Sequence, residues 1–151
     1  MLKRRTFLSH SPKQTIAFAK KFARELRPGS AVSLEGNLGS GKTTFIKGVA
    51  LGLGLYDSQG VKSPTFVLMH VYPTPRPLYH FDLYRLETLK ELQEIGFEEF
   101  IRDPNAVSCI EWGEKAKGLL PPNVYHVNLE IVNYSSRRII ITKISQNRRP
   151  Q

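Results

Sequence analysis

The residues of this chain best suited to chemistry form one short run, Gly36-Asn37-Leu38-Gly39-Ser40-Gly41-Lys42-Thr43. The run satisfies every defined position of G-x-x-x-x-G-K-[ST]. Glycines at those places let the backbone turn tightly and present successive N–H groups to anionic oxygens, with no Cβ in the way. A helix opening at the end of the run adds the partial positive charge of its N-terminus. Lys42 is then placed to reach the β- and γ-phosphates of a nucleoside triphosphate, and the Thr43 hydroxyl to ligate magnesium. Residue usage alone yields such a match in roughly one chain of this length in 200.

A phosphate loop of this kind also needs a carboxylate near the metal, commonly at the end of a strand beside the loop's own strand. Asp82 closes the apolar run from Leu78, and Glu111 closes the run from Val107. Either alone is explained equally well as a cap or a surface carboxylate. Two of them at strand carboxyl ends, where open α/β sheets bind their ligands, argue for function. Spacing leaves open which one binds the metal directly and which acts through water. Ser63-Pro64-Thr65-Phe66 opens a strand expected over Thr65 to Tyr72, where a hydroxyl is suited to sensing a γ-phosphate. The plainer alternative is a proline-initiated strand start. His10, His70, His80 and His126 have no metal-ligand spacing and read as structural or surface residues. Trp112 reads, from pattern alone, as a core residue.

These residues need a frame, and the rest of the chain supplies one. Arg5 to Leu8 suits a short edge strand. Ser11 is an N-cap followed by Pro12 at the first helical position, and Ile16, Ala19, Phe22, Ala23 and Leu26 follow at helical spacing up to Pro28-Gly29. Ala31 to Leu34 is a buried strand leading into the loop, and an apolar helix follows to about Leu53, closed by Gly54. Leu78 to Leu83 and Val107 to Ile110 are further strands. Between them, Glu87 to Ile101 is a helix interrupted near Gly96. Val124 to Ile131 and Ile139 to Ile144 pair as a hairpin around Asn133 to Ser136. The order predicts an α/β layered domain like those of P-loop NTPases, with a mixed, mostly parallel sheet flanked by helices and a C-terminal antiparallel hairpin. Residues 1–145 are expected to form a single domain and residues 146–151 a disordered tail.

Composition narrows the function classes. The chain has 151 residues, a net charge of +9 and one cysteine, Cys109, which rules out an internal disulfide framework and multi-cysteine zinc patterns. No stretch reaches the roughly 18 to 20 apolar residues of a membrane span, and no signal-like run opens the chain, so a cytoplasmic protein is expected. The positive charge suits an anionic partner such as RNA, although basic termini account for much of it and no recognised RNA-binding motif occurs.

Taken together, L-E-G-N-L-G-S-G-K-T-T-F-I-K-G, V-K-S-P-T-F, Y-H-F-D-L-Y-R-L, I-E-W-G-E and L-L-P closely resemble the bacterial TsaE (YjeE) family in order and separation, over Ser11 to Ile144. The resemblance implies a small ATPase, using ATP and Mg2+, needed to form threonylcarbamoyladenosine at adenosine 37 of tRNAs that read codons beginning with A. It implies action on the TsaD–TsaB heterodimer, with hydrolysis supporting turnover of that complex, and contact with tRNA chiefly through it. Carried across residue by residue, Asn37, Leu38, Gly39, Ser40, Gly41, Lys42, Thr43 and Thr44 hold the nucleotide. Thr43 and Glu111 hold magnesium, Asp82 is a second site carboxylate and Thr65 a switch residue. The same resemblance makes Trp112 and Glu114 nucleotide-site candidates and matches Arg137 to an arginine entering the final strand. Gly113 departs from a proline common in the family after E-W, and the strong basic charge is not a family requirement. Three other uses of the loop are to be weighed. A small-molecule kinase needs a basic lid, which the acidic segment Glu87 to Glu99 does not supply. A GTP switch needs N-K-x-D, which is absent from the sequence. A nucleotide-binding assembly factor with incidental hydrolysis is a third.

Overall fold

The computed structural model describes residues 2–144, so the tail expected at 146–151 lies outside the described residues. Seven strands form one sheet in the order β1-β7-β6-β2-β5-β4-β3. They are β1 (Leu2–Ser9), β2 (Ala31–Glu35), β3 (Met69–Tyr72), β4 (Leu78–Asp82), β5 (Val107–Glu111), β6 (Tyr125–Ile131) and β7 (Arg137–Ile144). The central four, β6, β2, β5 and β4, run parallel. β1 and β7 extend one side antiparallel, and β3 closes the other. The sheet is thus mixed with a parallel core, and the expected hairpin is β6–β7.

Helices α1 (Pro12–Phe22) and α2 (Lys42–Gly52) cover one face, and the short α3 (Leu89–Glu94) and α4 (Phe97–Ile101) lie with the other. Period-two alternation divides the strands between them. Val32, Leu34, Cys109, Val127 and Leu129 pack with Phe22, Phe45, Ile46 and Val49. Ala31, Phe81 and Ile110 pack with Leu92, Phe97 and Ile101. Ser11 caps α1 by accepting from the Gln14 N–H, with Pro12 in the first turn. The interruption expected near Gly96 is real: that residue takes φ +76° and separates α3 from α4.

One sequence expectation fails. Residues 65–68 are a turn, and β3 begins only at Met69. The Val67 and Leu68 N–H groups both donate to the Pro64 carbonyl, at 3.1 and 2.7 Å, and so leave the ladder. Leu68 adopts φ +68°, a conformation that a strand cannot contain. Phe66 and Val67 are consequently 81% and 65% exposed, although their apolar run reads as strand. The N-terminal strand is longer than expected, because β1 pairs with β7 over its whole length.

Candidate nucleotide site

The parallel core brings three strand ends together. β2 feeds the loop at 36–41, β5 is its neighbour on one side, and β4 lies beyond β5. Asp82 and Glu111 are direct register partners at the last positions of β4 and β5, and Glu111 is in turn paired with Leu34 of β2. Both carboxylates are about 3% exposed. The loop is seated tightly: Gly36 takes φ +150°, and a Cβ there would lie 2.5 Å from the Leu129 carbonyl oxygen and 2.6 Å from Ser40 Oγ.

The resulting cleft has a volume of about 360 Å³. Its wall includes Leu38, Gly39, Gly41, Lys42, Thr43 and Thr44 from the loop and helix start, with Thr65, Asp82, Glu111 and Trp112 opposite. Thr43 Oγ1 donates to Glu111 Oε1 at 2.8 Å, which joins α2 to β5. Asp82 Oδ2 accepts from Thr65 Oγ1 at 2.7 Å and from the Ser63 hydroxyl, while Oδ1 accepts from the Tyr84 N–H at 2.9 Å. The turn at 65–68 therefore places the Thr65 hydroxyl on the Asp82 carboxylate at the cleft.

Lys42 Nζ donates to the carbonyls of Gly36 at 2.5 Å and Asn37 at 3.1 Å, and lies 4.2 Å from the centre of the Trp112 ring. Burial holds this ammonium below the ordinary lysine range, with Glu111, Glu114 and Asp82 pulling the other way. A desolvated cation facing a loop of N–H groups is a favourable place for a phosphate. Trp112 combines both sequence readings. Its backbone sits at φ +59°, which turns the ring into the cleft, where it packs at 5.2 Å on Tyr84. Its other side rests on the α3–α4 core. Leu68 and Trp112 are the only described non-glycine residues with positive φ; Trp112 lines this cleft, and the Leu68 carbonyl accepts from the N–H of Asp82, which also lines it.

Four expected residues stand outside the lining. Asn37 holds Lys42 through its carbonyl, and Ser40 is buried beneath the loop. Glu114 lies in an adjoining groove with Glu35 and His126, and burial raises its carboxyl above the usual range. Arg137 braces the back of the loop by donating to the Gly39 carbonyl from Nε at 3.3 Å and Nη2 at 3.1 Å. Ser63, from the segment already singled out for its hydroxyls, lines the cleft, and Tyr84 joins it unannounced, as does His80 behind it. The signal for His80 was legible: two residues before Asp82, it must share that residue's face of β4.

The donor set suits magnesium. Thr43, Glu111 and Asp82 offer hard oxygens, and no group of three or more His, Cys, Asp or Glu side chains that could hold a metal exists among the described residues. Magnesium is commonly held by one or two carboxylates with substrate phosphates and water rather than by an all-protein cage.

The family model described as "Threonylcarbamoyl adenosine biosynthesis protein TsaE" matches residues 9–140. The chain is 39% identical over 135 residues to the tRNA threonylcarbamoyladenosine biosynthesis protein TsaE of Rickettsia typhi, covering 89% of this chain and 92% of that one. It is 36% identical to the protein of that name from Bacillus subtilis, again over 135 residues, covering 89% and 82%. The crystal structure of Bacillus subtilis YdiB superposes with a TM-score of 0.76 at 31% identity, covering 96% of this chain and 88% of that one. The chain belongs to the TsaE family.

Proposed function

We propose, from membership of the TsaE family, that this chain is a magnesium-dependent ATPase serving the formation of threonylcarbamoyladenosine on tRNA, in the cytoplasm and together with TsaD–TsaB. The observation that carries the reading is the Thr43–Glu111 hydrogen bond at the mouth of the phosphate loop, with Asp82 in register beside it.

The loop N–H groups from Gly39 to Thr44 bind the phosphates, and Lys42 exchanges its carbonyl partners for phosphate oxygens. Glu111 orients the Thr43 hydroxyl and, with it, holds magnesium. When bound, magnesium neutralises charge on the β- and γ-phosphate oxygens. Asp82 fastens Ser63 and Thr65 over the cleft and so excludes bulk water from one side. Trp112 and Tyr84 supply an apolar wall. Among the described residues no arginine lines the cleft: Arg137 braces the loop, and the Arg85 guanidinium lies 4.1 Å from the Phe66 ring centre. Arg85 and Arg137 remain this chain's own candidates for an arginine finger and a partner is the third source; we propose the partner, with slow hydrolysis by the isolated chain.

The test is to measure ATP turnover alone and with TsaD–TsaB, alongside tRNA threonylcarbamoylation over several cycles. Faster hydrolysis in the assembly, and a need for this chain only after the first cycle, are expected. Equal rates alone and in complex count against the proposal. A Glu111→Ala variant that still binds ATP separates hydrolysis from mere binding. The edge formed by β1, β7, α1 and the turn that follows it is rich in basic residues, with Lys3, Arg5, Lys21, Arg24, Arg138 and Lys143; of these Arg5 is paired with Glu25 and Arg138 with Glu130. We assign direct tRNA contact to that edge. Retention of tRNA that weakens steeply with salt supports the assignment, and no retention at low salt removes it.

A further inference from the structure

The cleft is backed by a line of buried polar side chains that crosses three strands. Tyr72 of β3, His80 of β4 and Glu111 of β5 are 7%, 0% and 3% exposed. Register explains why they meet. His70 pairs with His80, so Tyr72 stands two residues along and diagonal to His80. His80 pairs with Cys109, so Glu111 is diagonal to it in the same sense. Such diagonal neighbours on one face are within reach of long side chains. The Tyr72 hydroxyl lies 3.0 Å from His80 Nδ1, and His80 Nε2 lies 2.6 Å from Glu111 Oε2. The other carboxylate oxygen, Oε1, takes the Thr43 hydroxyl. At the far end, Tyr72 also lies 3.3 Å from the Lys62 carbonyl, at the root of the segment that carries Ser63 and Thr65.

We infer that His80, seated by Tyr72, is a positioning residue that fixes the Glu111 carboxylate on Thr43 and thereby sets the metal-binding geometry of the cleft. The inference rests on the reading of the cleft as a magnesium–nucleotide site. A carboxylate only accepts, so His80 Nε2 is the donor to it, and the Tyr72 hydroxyl, 3.0 Å from Nδ1, seats the other side of the ring. With one oxygen held by His80 and the other by Thr43, the Glu111 carboxylate cannot rotate. Partners of this kind fix the orientation of a metal ligand, and their loss typically costs about 10- to 100-fold in metal affinity. A histidine that merely fills the core needs only some acceptor. This one takes the residue whose second oxygen reaches the phosphate-loop helix.

The experiment uses Trp112, the only tryptophan in the chain, as a fluorescent probe of the cleft it lines. ADP is titrated into the full chain in EDTA and again in magnesium chloride. In EDTA, His80→Leu should bind ADP within about twofold of wild type, because the loop and Lys42 are intact. Its magnesium-dependent gain in affinity should shrink by about tenfold or more. His80→Gln, whose amide nitrogen stands near the place of Nε2, should recover most of that gain. Tyr72→Phe should fall between them. If His80→Leu does not fold, the other two variants carry the test. Equal losses with and without magnesium mean a purely structural role and overturn the inference. So does an undiminished magnesium effect in every variant, or no recovery in a folded His80→Gln. A wild-type protein whose ADP affinity ignores magnesium overturns the reading of the cleft itself.

Discussion

Replacing Lys42 with methionine separates what this residue does for the ligand from what it does for the fold. Methionine keeps most of the stem volume and a favourable sulfur–aromatic contact with Trp112, so no large cavity opens. Two charge-assisted hydrogen bonds to phosphate, at about 1.5–3 kcal/mol each, would be lost on binding. In full that is about 3–6 kcal/mol, or about a hundredfold to ten-thousandfold in Kd. Lys42 gives up carbonyl bonds at 2.5 and 3.1 Å to make those contacts, so the lower end, about a hundredfold, is the expected loss. Stability should behave oppositely. Burial depresses the ammonium more than Glu111, Glu114 and Asp82 restore it, so the charge is a net cost to the folded chain. The melting temperature of Lys42→Met should equal or exceed that of wild type near neutral pH. The sign with pH follows: below the lowered folded pKa both states hold the proton and the cost is complete. Above it the folded state releases its proton first, the unfolded state binds more protons, and wild-type stability rises with pH. The advantage of Lys42→Met should therefore shrink in alkaline buffer. Calorimetric titration with ATP and thermal denaturation at neutral and alkaline pH measure both effects. Loss of less than about tenfold in affinity, or a fall of more than about 4 °C in melting temperature, roughly 1–2 kcal/mol for a chain of this size, refutes the reasoning.

Glu111→Gln keeps the shape of the side chain but removes its charge; ATP affinity in EDTA should change little, while steady-state hydrolysis falls by about a hundredfold or more. Hydrolysis retained within a few-fold would move the metal carboxylate to Asp82. Ser33 Oγ is a buried hydroxyl without a partner among the described residues, pressed against Gly113, so Ser33→Ala should stabilise the fold by about 1 kcal/mol in chemical denaturation. Gly113→Ala should destabilise it by about 1–3 kcal/mol, because a Cβ there overlaps Ser33 Oγ and lies 2.7 Å from its Cβ. Part of that loss should return in a Ser33→Gly/Gly113→Ala double variant, measured as a double-mutant cycle.

The sequence by itself determined the phosphate loop, because its function is local: glycines, one lysine and one threonine at fixed spacing define the backbone that carries them. It also determined the caps at Ser11 and Pro12, the break at Gly96 and the two carboxylates at strand ends, each a matter of neighbouring residues. Tertiary structure decided the rest. Only the strand order β2-β5-β4 makes Asp82 and Glu111 register partners beside the loop, and residue spacing carries no information about that order. His80 and Tyr72 read as ordinary residues because their partners lie 31 and 8 positions away and meet them only diagonally across paired strands. Phe66 and Val67 have strand-like character, yet the Pro64 carbonyl captures the N–H groups that a ladder would need, and Leu68 turns left-handed. Trp112 packs against the core, as its pattern suggests, and also lines the cleft because a positive φ, a property of the folded turn, aims its ring at Lys42. Glu114 and Arg137 follow the family pattern in sequence, but the turn after β5 and the start of β7 place one in the adjoining groove and the other behind the loop.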